Sequence, residues 1–193
     1  MKTTAKIMVS VFFIILMVGG TYAWADDAPI WQIFENGKAV HWVDHKPNPR
    51  FAIYDSGTPN DPSDDVVLDK ETGLVWERSP STIRFNLNDA QTHCINLIGG
   101  NRMGWRLPTI QEGANLLDRS VSDRPHLPAG HPFSNVQYLG IWYWSATSRA
   151  EFTTQTHRWT FFFGGDAGGL GSAAANMLNS AWCVRGGQNY EVQ

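Results

Sequence analysis

No Gly-x-Ser-x-Gly, no His-Glu-x-x-His and no Walker phosphate loop occurs in the 193 residues, so the common local signatures of hydrolases, zinc proteases and nucleotide enzymes are missing. Clustered lysine and arginine are missing too. A groove that tracks phosphates needs basic residues gathered on one face, and nucleic-acid binding is therefore disfavoured. Cysteine is scarce: only Cys94 and Cys183 are present. In an exported chain a single pair is most often oxidised, and here it would close a loop of 89 residues. Chain entropy sets the upper value of such a clasp at roughly 4 to 5 kcal/mol. The competing reading, a catalytic thiol beside His93, suffers from geometry, because neighbours on a helix point about 100° apart.

What is present begins with a targeting signal. Lys2 and Lys6 precede an uncharged apolar run from Ile7 to Gly20, and Ala23-Trp24-Ala25 supplies small residues of the kind that signal peptidase reads. Residues 1–25 are expected to be a cleaved signal peptide, since the run falls short of the ~20 residues that span a bilayer. No transmembrane segment is expected after cleavage. No cysteine lies near the cleavage site, which disfavours a lipid anchor. Taking Lys2 and Lys6 from 15 basic residues leaves 13 against 18 acidic ones. The mature chain is mildly acidic and of a size for one core. Secretion, the periplasm or the cell surface is its expected location.

Residues 26–62 mix Trp31, Phe34, Trp42, Phe51 and Tyr54 with Pro47, Pro49, Pro59 and Pro62, a pattern that predicts an arm packing irregularly on the domain. Within it His41 and His45 have the i, i+4 spacing of a helical metal pair, without an amphipathic helix around them. Asp55, Asn60, Asp61, Asp64 and Asp65 form an acidic loop whose residue types suit calcium, with Asp61, Asp64 and Asp65 the foremost candidates, and equally suit ordinary turns.

The domain proper is expected over residues 63–187, with a tail at 188–193. Val66–Leu68 and Leu74–Trp76 flank a loop ending in Gly73, which predicts a β-hairpin. Leu87, Ala90, Cys94, Leu97 and Ile98 recur at helical spacing between Asn86 and Gly99-Gly100, placing Cys94 on a buried face. Thr109 and Glu112 form a capping box that opens a second helix through Ile110, Ala114, Leu116 and Leu117. Residues 119–139 have no period and read as a long surface excursion. Strands are expected at Ile141–Thr147, His157–Phe163 and Ala181–Arg185. Helices that do not alternate with strands predict an α+β fold with small antiparallel sheets. Gly164–Gly171 imitates a dinucleotide loop, but no complete βαβ unit with a later acid can follow, so it reads as a flexible loop between strands.

Thr72-Gly-Leu-Val-Trp-Glu77, Ala90-Gln-Thr-His-Cys94, Gly104-Trp-Arg-Leu-Pro-Thr109, Tyr143-Trp-Ser-Ala-Thr147 and Trp182-Cys-Val-Arg185 together resemble the Lcl C-terminal domain family, a widespread bacterial domain, from about Val66 to Gly187. The resemblance implies a C-type-lectin-like fold, with two short helices, long loops and a disulfide from the first helix to the last strand. It also implies adhesion, because the collagen-like adhesin that names the family is similar to a lectin in binding sulfated glycans. This chain departs by lacking a collagenous Gly-X-Y repeat, the Glu-Pro-Asn and Gln-Pro-Asp triplets of calcium-dependent sugar binding, and a basic balance suited to polyanions. Formylglycine-generating enzymes share the implied fold but work through two active-site thiols, and the two cysteines here are spent on the clasp. Trp76, Trp105 and Trp182 are expected in the core. Arg106 and Arg185 are expected to pair with carboxylates or carbonyls.

The functional expectation is a non-catalytic binding module for a glycan or an envelope protein, with a structural subunit of an envelope assembly and, after it, an envelope enzyme of the formylglycine-generating-like fold as the alternatives. Trp142, Trp144 and Trp159 are candidate stacking platforms. Arg149, Glu151, Asp166 and Asn176 are polar candidates on the loops Ser148–Thr156 and Gly164–Asn179.

Overall fold

Two runs that mix aromatic and β-branched residues with polar ones start the sheet that carries the N-terminal half. In a computed structural model, which describes residues 31–35, 38–54, 64–150 and 157–186, β1 is Trp31–Glu35, β2 Lys38–Asp44 and β3 Phe51–Tyr54. The hairpin follows as β4, Val66–Asp69, and β5, Leu74–Glu77. Gly73 turns it at φ +70°, in the left-handed region open to glycine. With the terminal β11, Val184–Arg185, these form one antiparallel sheet ordered β1-β2-β3-β4-β5-β11. The predicted irregular arm is thus three strands of the sheet. Pro47 and Pro49 occupy the turn between β2 and β3 and leave the ladder donors intact. Arg50 ties the β2–β3 turn to β4 by donating from Nε and Nη2 to both oxygens of Asp69, at 2.8 and 2.6 Å.

Local signals placed both helices. α1, Leu87–Asn96, is capped by Asn86, whose side chain accepts the Asp89 N–H at 3.0 Å. Leu87, Ala90 and Cys94 face inward. The helix ends at Asn96, two residues short of where the apolar spacing ran, and Ile98 is 61% exposed. α2, Ile110–Asn115, has the full capping box between Thr109 and Glu112. Gly113 is required there, because a Cβ would lie 2.6 Å from the Phe161 ring.

The second sheet takes β6, Arg84–Phe85, β7, Tyr143–Ser148, β8, His157–Phe162, β9, Gly169–Ala174, and β10, Asn179–Ser180. Its order is β6-β10-β7-β8-β9, antiparallel except where β10 meets β7. The expected glycine-rich loop is therefore only a turn over 163–168, and β9 is a full strand paired with β8. Its small residues concealed a strand because they lack the β-branched and aromatic types that usually mark one. Gly171 has a packing reason: a Cβ would sit 2.8 Å from the Trp142 ring.

Aromatic side chains hold the layers together. Trp76, Phe133, Tyr143, Phe161, Phe163 and Trp182 share one cluster, and Trp182 meets Trp76, Phe133, Tyr143 and Phe163 with centroids 5.0–5.6 Å apart. A second cluster joins Leu87, Ala90, Trp105, Trp144 and the Cys94–Cys183 disulfide. The segment 119–139 is no mere surface excursion. It inserts His126, Leu127, Phe133 and Val136 into the interior, side chains whose spacing follows the shape of the core rather than any helix or strand period. The signal segment, Asp55, Asn60, Asp61, Glu151 and the tail 188–193 lie outside the described residues.

Candidate functional site

The second sheet decides which candidate aromatics a ligand can touch. Trp144 is fully buried against the α1 side, and its indole N–H donates to the Phe85 carbonyl at 2.8 Å. It is a core residue, not a stacking platform. Trp142, one residue before β7, is half-buried and stacks on Phe162 with centroids 5.0 Å apart and 26° between planes. Its ring lies over Gly169 and Gly171, and at Gly171 a Cβ would clash with it. Trp159 is half-buried beneath the Arg149 guanidinium, 5.4 Å from its ring centre, while Arg149 donates to the Ser172 hydroxyl at 2.6 Å.

These two clusters do not converge. Trp159 and Phe162 are three positions apart on one strand, so alternation sends them to opposite faces. Phe162 pairs with Gly169 at the turn end of β8, where Asp166 sits exposed, 3.5 Å from Arg124. Asn176 lies past the other end of β9, in a shallow groove of about 420 Å³ shared with Asn86, Asn88, Asp89, Ala175 and Leu178. The structure thus joins Trp142 with Phe162 near Asp166, and Arg149 with Trp159, as separate places.

Other expectations are redistributed. His41 belongs to β2, which ends at Asp44, so the pair does not lie on a helix. His45 instead donates to the Gly130 carbonyl at 2.8 Å. Asp65 is buried and paired with Arg78 at 2.7 Å, which commits its carboxylate to a structural ion pair rather than to calcium. Arg106 pairs as expected, donating to both oxygens of Glu112 at 2.8 Å and to the Gly186 carbonyl at 3.0 Å. Burial alone would raise the Glu112 pKa, but bonds from Arg106 and Thr109 outweigh it and hold the carboxyl below its usual range.

One polar centre had no forecast. Glu77 ends β5 at 4% exposure, its carboxylate accepting the Cys183 N–H and its carbonyl accepting the Trp182 indole N–H at 2.9 Å. Burial pushes its pKa up to about 8 although the Cys183 bond opposes the shift. His93 stacks on Phe85 at 4.8 Å, and burial lowers its pKa. One donor atom each from Glu77, His93 and Cys183 lies within 4.8 Å of the others. An acid ending an apolar strand motif was the sole local clue to this centre.

What these features define is an α+β domain of two small sheets, two helices among the described residues, and one long-range disulfide. The catalytic-thiol reading of Cys94 ends with that bond, since no cysteine is free. The chain belongs to the Lcl C-terminal domain family, whose family model matches residues 65–185. No curated protein and no solved structure matches it. Among the described residues, no helix is long and apolar enough to cross a membrane.

Proposed function

We propose that this chain is an exported, non-catalytic binding module, of C-type-lectin-like architecture, that recognises a glycan at the Trp142–Phe162 ledge. The observation carrying this reading is the stacked, half-exposed ring pair seated over Gly169 and Gly171. An indole held rigidly at the surface offers an apolar face to the C–H side of a sugar ring at little entropic cost. Asp166, in the adjoining turn, supplies acceptors for hydroxyl groups. Export is supported by the apolar run Ile7–Gly20 and the Ala23-Trp24-Ala25 site, which direct the domain to the periplasm, the surface or the medium. Both thiols are consumed in the disulfide, so the chemistry of formylglycine-generating enzymes has no reagents here.

A glycan array with the folded mature domain tests the proposal. The expected result is retention of a neutral or weakly charged glycan, lost in Trp142→Ala with a melting temperature shifted by only a few degrees. Absence of any retained glycan by folded protein refutes it. A second reading, a subunit of an envelope assembly, is favoured by Ile95, Ile98 and Met103, large apolar side chains exposed by 61–65%. Crosslinking in intact cells to one protein through these side chains would support it.

A further inference from the structure

The disulfide lies beside two further side chains able to hold a metal, His93 and Glu77. Cys183 Sγ, a His93 ring nitrogen and a Glu77 carboxylate oxygen fall within 4.8 Å of one another, and Cys94 is bonded to that sulfur. His93 Nε2 is buried with no hydrogen-bond partner. Among the described residues no cation is paired with Glu77, although its carboxylate lies in the core, where an unpaired charge is costly. As a disulfide the sulfurs are poor ligands. As thiolates they complete a set of two sulfurs, one nitrogen and one oxygen.

We infer that, once the Cys94–Cys183 bond is reduced, both thiolates together with His93 and Glu77 form a tetrahedral zinc site that closes α1 onto β11 in place of the covalent bond. Zinc takes Cys, His and carboxylate ligands at about 2.0–2.3 Å, which places neighbouring donor atoms about 3.3–3.8 Å apart. Three of the four donors, on Glu77, His93 and Cys183, already lie within 4.8 Å of one another, and Cys94 Sγ, freed from its bond to Cys183 Sγ, has only to part from that sulfur by a side-chain rotation to become the fourth. The thiolates and imidazole select zinc over calcium or magnesium, whose coordination is built from oxygen. Reduction consumes two electrons and two protons from a dithiol donor, which becomes a disulfide. Zinc binding then releases one proton from each thiol, and the one Glu77 carries. Oxidation and metal binding are alternative ways to fasten the same two elements, and each excludes the other. This site is independent of the ledge at Trp142.

The test starts from chain reduced by a water-soluble phosphine in denaturant, then refolded with cobalt(II), with zinc(II) or without metal. One equivalent of cobalt is expected to give tetrahedral ligand-field bands with thiolate charge transfer, abolished by zinc. Zinc should restore the near-ultraviolet circular dichroism of the oxidised protein. Loss of an outer partner of a metal ligand costs about 10–100-fold in affinity, so His93→Gln and Glu77→Gln should each weaken zinc binding at least about tenfold. His45→Gln, far from the cluster, should leave affinity unchanged. An octahedral cobalt spectrum, unchanged affinity in His93→Gln, identical refolding with and without zinc, or failure of zinc to restore the native spectrum would each overturn the inference.

Discussion

Replacing Glu77 by Gln removes an ionisable group from the core while keeping an acceptor for the Cys183 N–H. In the folded chain burial raises the Glu77 pKa from its ordinary 4.5 to about 8. The native state therefore holds a proton that the unfolded state releases across that interval. Stability from this group is complete below pH 4.5, falls as pH rises, and levels off above pH 8. Each pH unit is worth about 1.4 kcal/mol, so between pH 5 and pH 8 the wild type should lose roughly 3 to 4 kcal/mol from this residue. Glu112 acts with the opposite sign: its lowered pKa makes stability fall as pH drops through the folded value. Comparing wild type with Glu77→Gln at each pH cancels that contribution. Urea unfolding of both proteins with the disulfide intact, at pH 5 and pH 8, measures the difference. The gap should move by those 3 to 4 kcal/mol in favour of Glu77→Gln at the higher pH. A gap that stays constant would refute the claim that a protonated carboxyl sits in this core.

Further outcomes follow from the packing. Trp182→Ala empties a position enclosed by four aromatic rings and should cost about 3–5 kcal/mol, read from the denaturant midpoint. Gly171→Ala drives a methyl group into the Trp142 ring and should cost about 1–3 kcal/mol, with a changed tryptophan emission and weaker glycan retention. Cys94→Ser with Cys183→Ser frees a loop of 89 residues and should lower stability by up to roughly 4 to 5 kcal/mol, measured by thermal unfolding.

Signals contained within one or two turns of chain were legible. Asn86 and Thr109 marked the helix starts because capping is settled by residues three positions apart. Gly73 between two apolar runs marked the hairpin for a similar reason. The family motifs placed Trp76, Trp105 and Trp182 in the interior, where large aromatic area belongs. Trp142 and Trp144 show where this reasoning stopped. They are two positions apart and identical in type, yet one lies over glycines at the surface and the other is sealed beneath α1. Local pattern does not say which neighbours a sheet will acquire.

By itself, the sequence determined the helix starts, the hairpin, the cysteine pair available for a clasp, and the family to which residues 65–185 belong. Tertiary structure alone decided that β1, β2 and β3 extend the first sheet, that β9 is a strand, and that residues 119–139 fill the core. It alone brought Glu77, His93 and Cys183 together. Caps and turns are closed by bonds between near neighbours, whereas strand order and buried polar clusters depend on contacts between residues many tens of positions apart, whose partners exist only after the chain has folded.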